Sequence, residues 1–159
     1  MRTRLATADD LPAIVPIVNA AFAVEKFFID GERTSVEIAR EQMNNGVFIV
    51  AEEATDDGAA RIIGSVYVER RGDRGYFGML AVAPEAQGRG LGRLLVEAAE
   101  GHCRANGCDF MDLSVINLRT ELPPFYRKLG YRETHTSELP ERIRVTQAAH
   151  FIHMSKPLE

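Results

Sequence analysis

The chain of 159 residues has no tryptophan and only two cysteines, Cys103 and Cys108. Two thiols do not make a disulfide framework, so a hydrophobic core has to hold the fold, and a reducing, cytoplasmic setting is expected. Neither sign of charge dominates: 19 Lys and Arg against 23 Asp and Glu give a net charge of −4. A mildly acidic chain is poorly suited to general nucleic-acid or anionic-membrane binding, and neither partner is expected. Long apolar runs are also missing. The longest, Ala13 to Val24, is interrupted by Pro16 and Asn19 and is too short to span a bilayer. Met1 to Asp10 carries Arg2, Arg4, Asp9 and Asp10 where a signal peptide needs an apolar segment. His102, Cys103 and Cys108 lack metal-ligand spacing, and the spacing of His150 and His153 puts them on opposite faces of a strand, so no metal is expected. Nucleophile-elbow, zinc-protease and paired-carboxylate motifs are absent.

What is present reads as one globular domain over residues 1–159, with 45% hydrophobic and 26% charged residues. Arg2 to Ala6 opens the chain as a short strand. Leu11, Ile14, Val15, Val18 and Phe22 then fall at helical spacing, with Thr7 or Asp9 as cap and Pro12 in the first turn. A second helix is expected from about Ser35 to Asn44, with Val36, Ile38 and Met43 partly on one side and Gly46 as the stop. "GVFIVAEE" and "RIIGSVYVERR" read as strands joined by the Asp-Asp-Gly turn, and Gly75 to Ala83 follows as a third. Leu91, Leu94, Leu95, Ala98, Ala99 and Cys103 form the apolar stripe of a longer helix that ends at Gly107, which makes Cys103 a core residue. Phe110 to Ile116 alternates as a strand, a short helix covers Pro124 to Leu129, and "YRETHT" and "HFIHMSK" close the chain as strands. The order β-α-α-β-β-β-α-β-α-β-β implies an α/β (α+β) fold: a single mixed sheet with helices on its faces.

The most informative segment is "LAVAPEAQGRGLGR", Leu80 to Arg93. A strand, a turn with Gly88, Gly90 and Gly92, and a helix follow one another. Glycine permits left-handed backbone and removes side chains that would block a ligand. Unpaired amides and the positive dipole end of the helix favour phosphate groups, to which Arg89 and Arg93 add charge. A nucleoside-triphosphate loop needs GxxxxGK followed by Ser or Thr, which is absent. A dinucleotide fingerprint needs a glycine where Arg93 stands.

"LAVAPEAQGRGLGRLL" resembles the acetyl-CoA-binding motif of the GCN5-related N-acetyltransferase (GNAT) family, whose Gln/Arg-x-x-Gly-x-Gly/Ala pattern is matched by Gln87, Gly90 and Gly92. "SVINLRTELPPFYRKLGYRE" resembles the family's later strand–helix motif. The resemblance covers nearly the whole chain. It implies a mostly antiparallel sheet whose central parallel pair, Gly75 to Ala83 and Phe110 to Ile116, splays apart. Acetyl-CoA is then the co-substrate. Leu80, Ala81 and Val82 would meet its pantetheine arm, with the Val82 amide polarising the thioester carbonyl. Gln87, Gly88, Arg89, Gly90, Leu91, Gly92 and Arg93 would meet its pyrophosphate, and Asn117 would hold cofactor or helix backbone. Tyr126 matches the tyrosine that protonates the departing thiolate, a transfer between groups of pKa about 10 and about 8.5. Phe125 beside it is the expected core aromatic.

Many relatives carry a Glu on the central strand as general base, but here that stretch reads Tyr76, Phe77, Gly78, Met79. Glu25, Asp30 and Asp112 are the candidates, with water as the alternative. The expected activity is direct acetyl transfer from acetyl-CoA to a primary amine on a small molecule or peptide. A non-catalytic acyl-CoA sensor and a protein N-terminal acetyltransferase are the other readings. Relatives are often dimers, which leaves a homodimer open. Ala23 to Arg33 and Thr136 to Gln147 carry no motif; the first, with Glu25, Phe27, Phe28 and Asp30, is the expected wall of the acceptor pocket.

Overall fold

Residues rich in β-branched and aromatic side chains form the central strands, and the computed structural model, which describes residues 1–159, joins seven strands in one sheet. They are β1 (Arg2–Leu5), β2 (Gly46–Ala54), β3 (Ala60–Arg71), β4 (Arg74–Val82), β5 (Phe110–Ile116), β6 (Arg132–Glu138) and β7 (His150–Pro157). The helices are α1 (Leu11–Ala21), α2 (Val36–Gln42), α3 (Leu91–Ala105) and α4 (Leu122–Lys128), with 3-10 turns at Ala8–Asp10, Ala23–Phe27 and Pro84–Ala86. Sheet order is β1-β2-β3-β4-β5-β7-β6, and only β4 and β5 run parallel. The mixed sheet with a central parallel pair is therefore present. No helix is long and apolar enough to cross a membrane.

Two cores lie on the two faces. On one, Leu11, Ile14 and Val18 of α1 and Ala39 of α2 pack on Phe48, Val50, Tyr67, Met79 and Ala81. On the other, Leu91, Leu95, Val96, Ala99 and Cys103 of α3 pack on Ile63, Val66, Phe77, Met111 and Leu113, with Tyr126 of α4 in the same cluster. Each such Leu, Ile or Phe contributes about 1.5–3 kcal/mol by leaving water, which is what fixes α3 across the centre of the sheet.

The local differences from expectation have local causes. Thr7 caps the Ala8–Asp10 turn rather than α1: its amide donates to Asp10 Oδ2 at 2.8 Å, and Asp9 caps nothing. α2 begins at Val36 because Ser35 Oγ accepts from the Ile38 amide at 3.2 Å; Ile38 itself points outward and Ala39 takes the buried position.

The feature that positions the site is a bulge in β4. Tyr67 faces Gly78 and Ser65 faces Ala81, so Met79 and Leu80 together oppose Val66 alone. Met79 takes a left-handed φ of 54°, the one non-glycine residue to do so, which bends the strand and increases its twist. Parallel pairing with β5 covers only Arg74–Tyr76 against Phe110–Asp112. Beyond Tyr76 the two strands diverge while β5 stays paired to β7 up to Ile116.

Candidate active site

Divergence leaves one edge of β4 without a strand partner. The Ala83 amide donates to Ile63 of β3 at 2.8 Å, so by the alternation of an antiparallel ladder Ala81 also faces β3 while Val82 faces the open side. Val82's carbonyl there accepts from Gln87 Nε2 at 3.3 Å, leaving its amide free. Ala81 was expected among the cofactor-binding residues. It stands apart from this edge, because its backbone pairs with Ser65 and its side chain sits in the α1–α2 core.

The glycine turn lies directly beyond. Gly88 and Gly90 have φ of 83° and 77°, and a side chain at either would project into open space. Gly92 differs: it is helical, in the first turn of α3, and its missing side chain leaves room beside Phe125. The first helical bond is Leu94 to the Gly90 carbonyl at 3.1 Å, and the amides from Gly88 through Arg93 have no partner in the protein. A row of unpaired amides at a helix N-terminus with no side chain above it is a cradle for a diphosphate. Arg89 and Arg93 stand beside it in surface ion pairs, Arg89 Nη1 with Glu53 at 3.1 Å and Arg93 Nε with Glu97 at 2.9 Å. Exposed pairs of this kind are weak enough to exchange for a phosphate. The free strand edge fits an amide-bearing arm and the cradle fits the diphosphate, so the residues present suit coenzyme A.

Tyr126 turns from α4 into the core on the α3 face of the sheet. Its ring is 6% exposed and packs at 5.8 Å from Phe77, 5.0 Å from Phe125 and 6.2 Å from Tyr131. Phe125 is not the core aromatic it was expected to be: it is 36% exposed, because the phase of this short helix turns Tyr126 inward. The sealed side-chain polar atoms without a partner are Gln42 Oε1 and Ser65 Oγ; the Tyr126 hydroxyl also lacks a partner but is not sealed. Burial pushes its phenol well above the usual range, and the charge of Arg119 offsets part of that rise.

The candidate bases separate clearly. Asp112 is held by Arg74 through two bonds of 2.7 Å, which engages both its oxygens. Asp30 is exposed. Glu25 is only 6% exposed, and its Oε2 accepts from Arg119 Nη1 at 2.8 Å. Burial raises its pKa, while Arg119 and Arg33 pull it down and Glu121 adds to the rise. Asn117 fastens the sheet: its Oδ1 accepts from the His150 amide at 2.8 Å and its own amide donates to the His150 carbonyl at 2.9 Å, which leaves Nδ2 as the group available to a ligand.

The two segments without motifs meet. Ile29 bridges Val145, the Asp30 amide donates to the Arg144 carbonyl at 2.9 Å, and the Thr146 amide donates to Phe28 at 2.9 Å. The connection between α1 and α2 is thus clamped by the loop between β6 and β7, with Phe27 84% exposed at the junction. A surface depression of about 370 Å³, lined by Arg104, Gly130, Lys156, Pro157 and Glu159, lies toward the other end of α3 and holds none of these groups.

A divergent parallel pair, a free β4 edge and an amide-lined glycine turn define an acyl-CoA N-acyltransferase architecture. The family model described as an acetyltransferase (GNAT) domain matches residues 44–133, and the chain belongs to that family. It is 31% identical over 139 residues to a mycothiol acetyltransferase of Rhodococcus jostii (strain RHA1), covering 80% of this chain and 44% of that one. It is 37% identical over 90 residues to glucosamine 6-phosphate N-acetyltransferase 1 of Oryza sativa subsp. japonica, covering 54% and 52%. The chain spans about half the length of these curated relatives. Among solved structures, ribosomal-protein-alanine N-acetyltransferase from Brucella melitensis superposes with a TM-score of 0.76 at 22% identity, covering 99% of this chain and 100% of that one. A phosphinothricin acetyltransferase from Sinorhizobium meliloti in complex with AcCoA does so at 0.73 and 20%, covering 99% and 88%. At these identities the likeness is one of fold.

Proposed function

We propose that the protein transfers an acetyl group from acetyl-CoA directly to a primary amine. The observation that carries this reading is the continuity of the free β4 edge with the unpaired amides of Gly88 to Arg93. Backbone groups of Leu80 and Val82 receive the pantetheine amides as an added strand would. The amides of the turn bind the pyrophosphate, with Arg89 and Arg93 available to exchange their carboxylate partners for it. The Val82 amide, preorganised and facing the gap, stabilises negative charge that develops on the thioester carbonyl oxygen.

Tyr126 is the general acid. The phenol is protonated through the neutral range and so has a proton to give the departing thiolate; burial makes it a weaker donor, and the charge of Arg119 offsets part of that. The buried, unreactive Cys103, whose thiol burial pushes up to about 12, takes no part, which agrees with direct transfer. The test is thiol release from acetyl-CoA over a panel of small amines and short peptides. Release that depends on an amine supports the reading. Tight coenzyme A binding without release on any acceptor would instead support a sensor.

A further inference from the structure

We infer that Glu25 receives the acceptor's ammonium group and removes its proton, and that Arg119 is the positioning residue that aims it. This rests on the acetyl-transfer reading above. It answers a chemical need which the central strand leaves open, since Tyr76, Phe77, Gly78 and Met79 offer no carboxylate.

The geometry is specific. Glu25 sits in the Ala23–Phe27 turn, in the segment clamped to the β6–β7 loop through Ile29 and Val145. Arg119 lies in the tight turn between β5 and α4, where its amide donates to Ile116 at 2.9 Å and its carbonyl accepts from Leu122 at 3.1 Å. It is 13% exposed and ties together two carboxylates, Glu25 at 2.8 Å and Glu121 at 2.9 Å. Only Oε2 of Glu25 is used in this pair. Oε1 has no protein partner, yet it is absent from the sealed orphans, so it opens to solvent. A nearly buried carboxylate with one oxygen anchored and the other free fits a cation donor. An apolar acceptor would leave Oε1 desolvated and unpaired. Arg119 also links the two chemical groups: it contacts Glu25 directly, and its charge acts on the Tyr126 phenol. One guanidinium thus bears on both the base and the acid.

The proton balance closes. An N–H bond of the ammonium breaks and its proton passes to Glu25 Oε1. The freed nitrogen lone pair attacks the thioester carbonyl. The C–S bond breaks as the C–N bond is completed, and the thiolate takes the proton of Tyr126. The phenolate regains a proton from the new amide nitrogen, and Glu25 releases its own to solvent. The net products are the amide, free thiol and one proton.

The groups that set the titration of Glu25 are Arg119 and Glu121 from the β5–α4 turn and Arg33 from the segment before α2. Burial raises the carboxyl above its ordinary range, so the acid limb of kcat/KM lies above that of a free carboxylate. The rate falls as pH drops through that raised value.

The experiment compares wild type, Glu25→Gln and Glu25→Asp for amine-dependent thiol release across pH, with calorimetric acetyl-CoA binding as the check on folding. The expected result is a loss of about 100-fold in kcat/KM for Glu25→Gln, disappearance of the acid limb, unchanged acetyl-CoA affinity, and partial rescue in Glu25→Asp. If the wild type turns over and Glu25→Gln stays within threefold with the same acid limb, the assignment of Glu25 is overturned while acetyl transfer stands. If the wild type releases no thiol on any amine, both fall.

Discussion

Gln87 Nε2 donates to the Val82 carbonyl at 3.3 Å, tying the glycine turn back to the last residue of β4. The bond gives the Val82 carbonyl a partner on the open edge, and it holds the turn against the strand. Gln87→Ala removes a bond worth about 0.5–1.5 kcal/mol. Acetyl-CoA affinity is expected to fall about two- to tenfold by calorimetry, with kcat little changed.

Gly90 is the residue just before α3, with φ of 77°. A side chain there costs about 1–2 kcal/mol of backbone strain and would project into the open space from which a ligand approaches the turn. Gly90→Val is expected to weaken acetyl-CoA binding at least tenfold and to lower the thermal midpoint by a few degrees. Gly88→Ala, at φ of 83°, is expected to act in the same direction more mildly.

Tyr126→Phe keeps the ring packed on Phe77 and Tyr131 and removes a hydroxyl that has no protein partner. Stability and acetyl-CoA affinity are therefore expected to stay within error, while kcat drops about 100-fold. Because the phenol's pKa is raised, its loss of a proton is expected only above the ordinary tyrosine range, leaving no basic limb from this group near neutrality.

The features that define the site differ greatly in how legible they are from sequence. The glycine turn was readable because left-handed backbone ahead of a helix demands glycine, and that demand is written locally. The bulge was not, since Met79 is a residue type that gives no hint of a positive φ; tertiary packing in the α1–α2 core imposes it. The Glu25–Arg119 pair joins positions 94 apart, and no periodicity reports such a contact. Tyr126 was found by its surroundings in "PPFYRKLGY", but which of two adjacent aromatics turns inward depends on helix phase, which the prolines before them obscure. The stacked rings of His135 and His153, 4.2 Å apart on β6 and β7, needed the register between two strands.

Arg4 holds Asp10 through bonds of 2.9 and 3.0 Å, and this hydrogen bonding lowers the Asp10 carboxyl from 3.8 to about 2. A depressed pKa contributes stability that is present above the unfolded value and lost as pH falls from there toward about 2. At this partly exposed site the contribution is about 1 kcal/mol after solvent screening. Asp10→Asn is expected to lower stability at pH 7 by that amount and to close the gap to wild type near pH 2, as followed by urea denaturation.

The central claim is that the free edge of β4 and the unpaired amides after Gln87 hold coenzyme A. Amide hydrogen exchange with and without saturating acetyl-CoA tests it residue by residue. The account predicts new protection concentrated at Leu80, Val82 and Gly88 through Arg93, with β1 and β2 unchanged. Undiminished exchange at those amides in the presence of bound acetyl-CoA, or no binding at all, would contradict it.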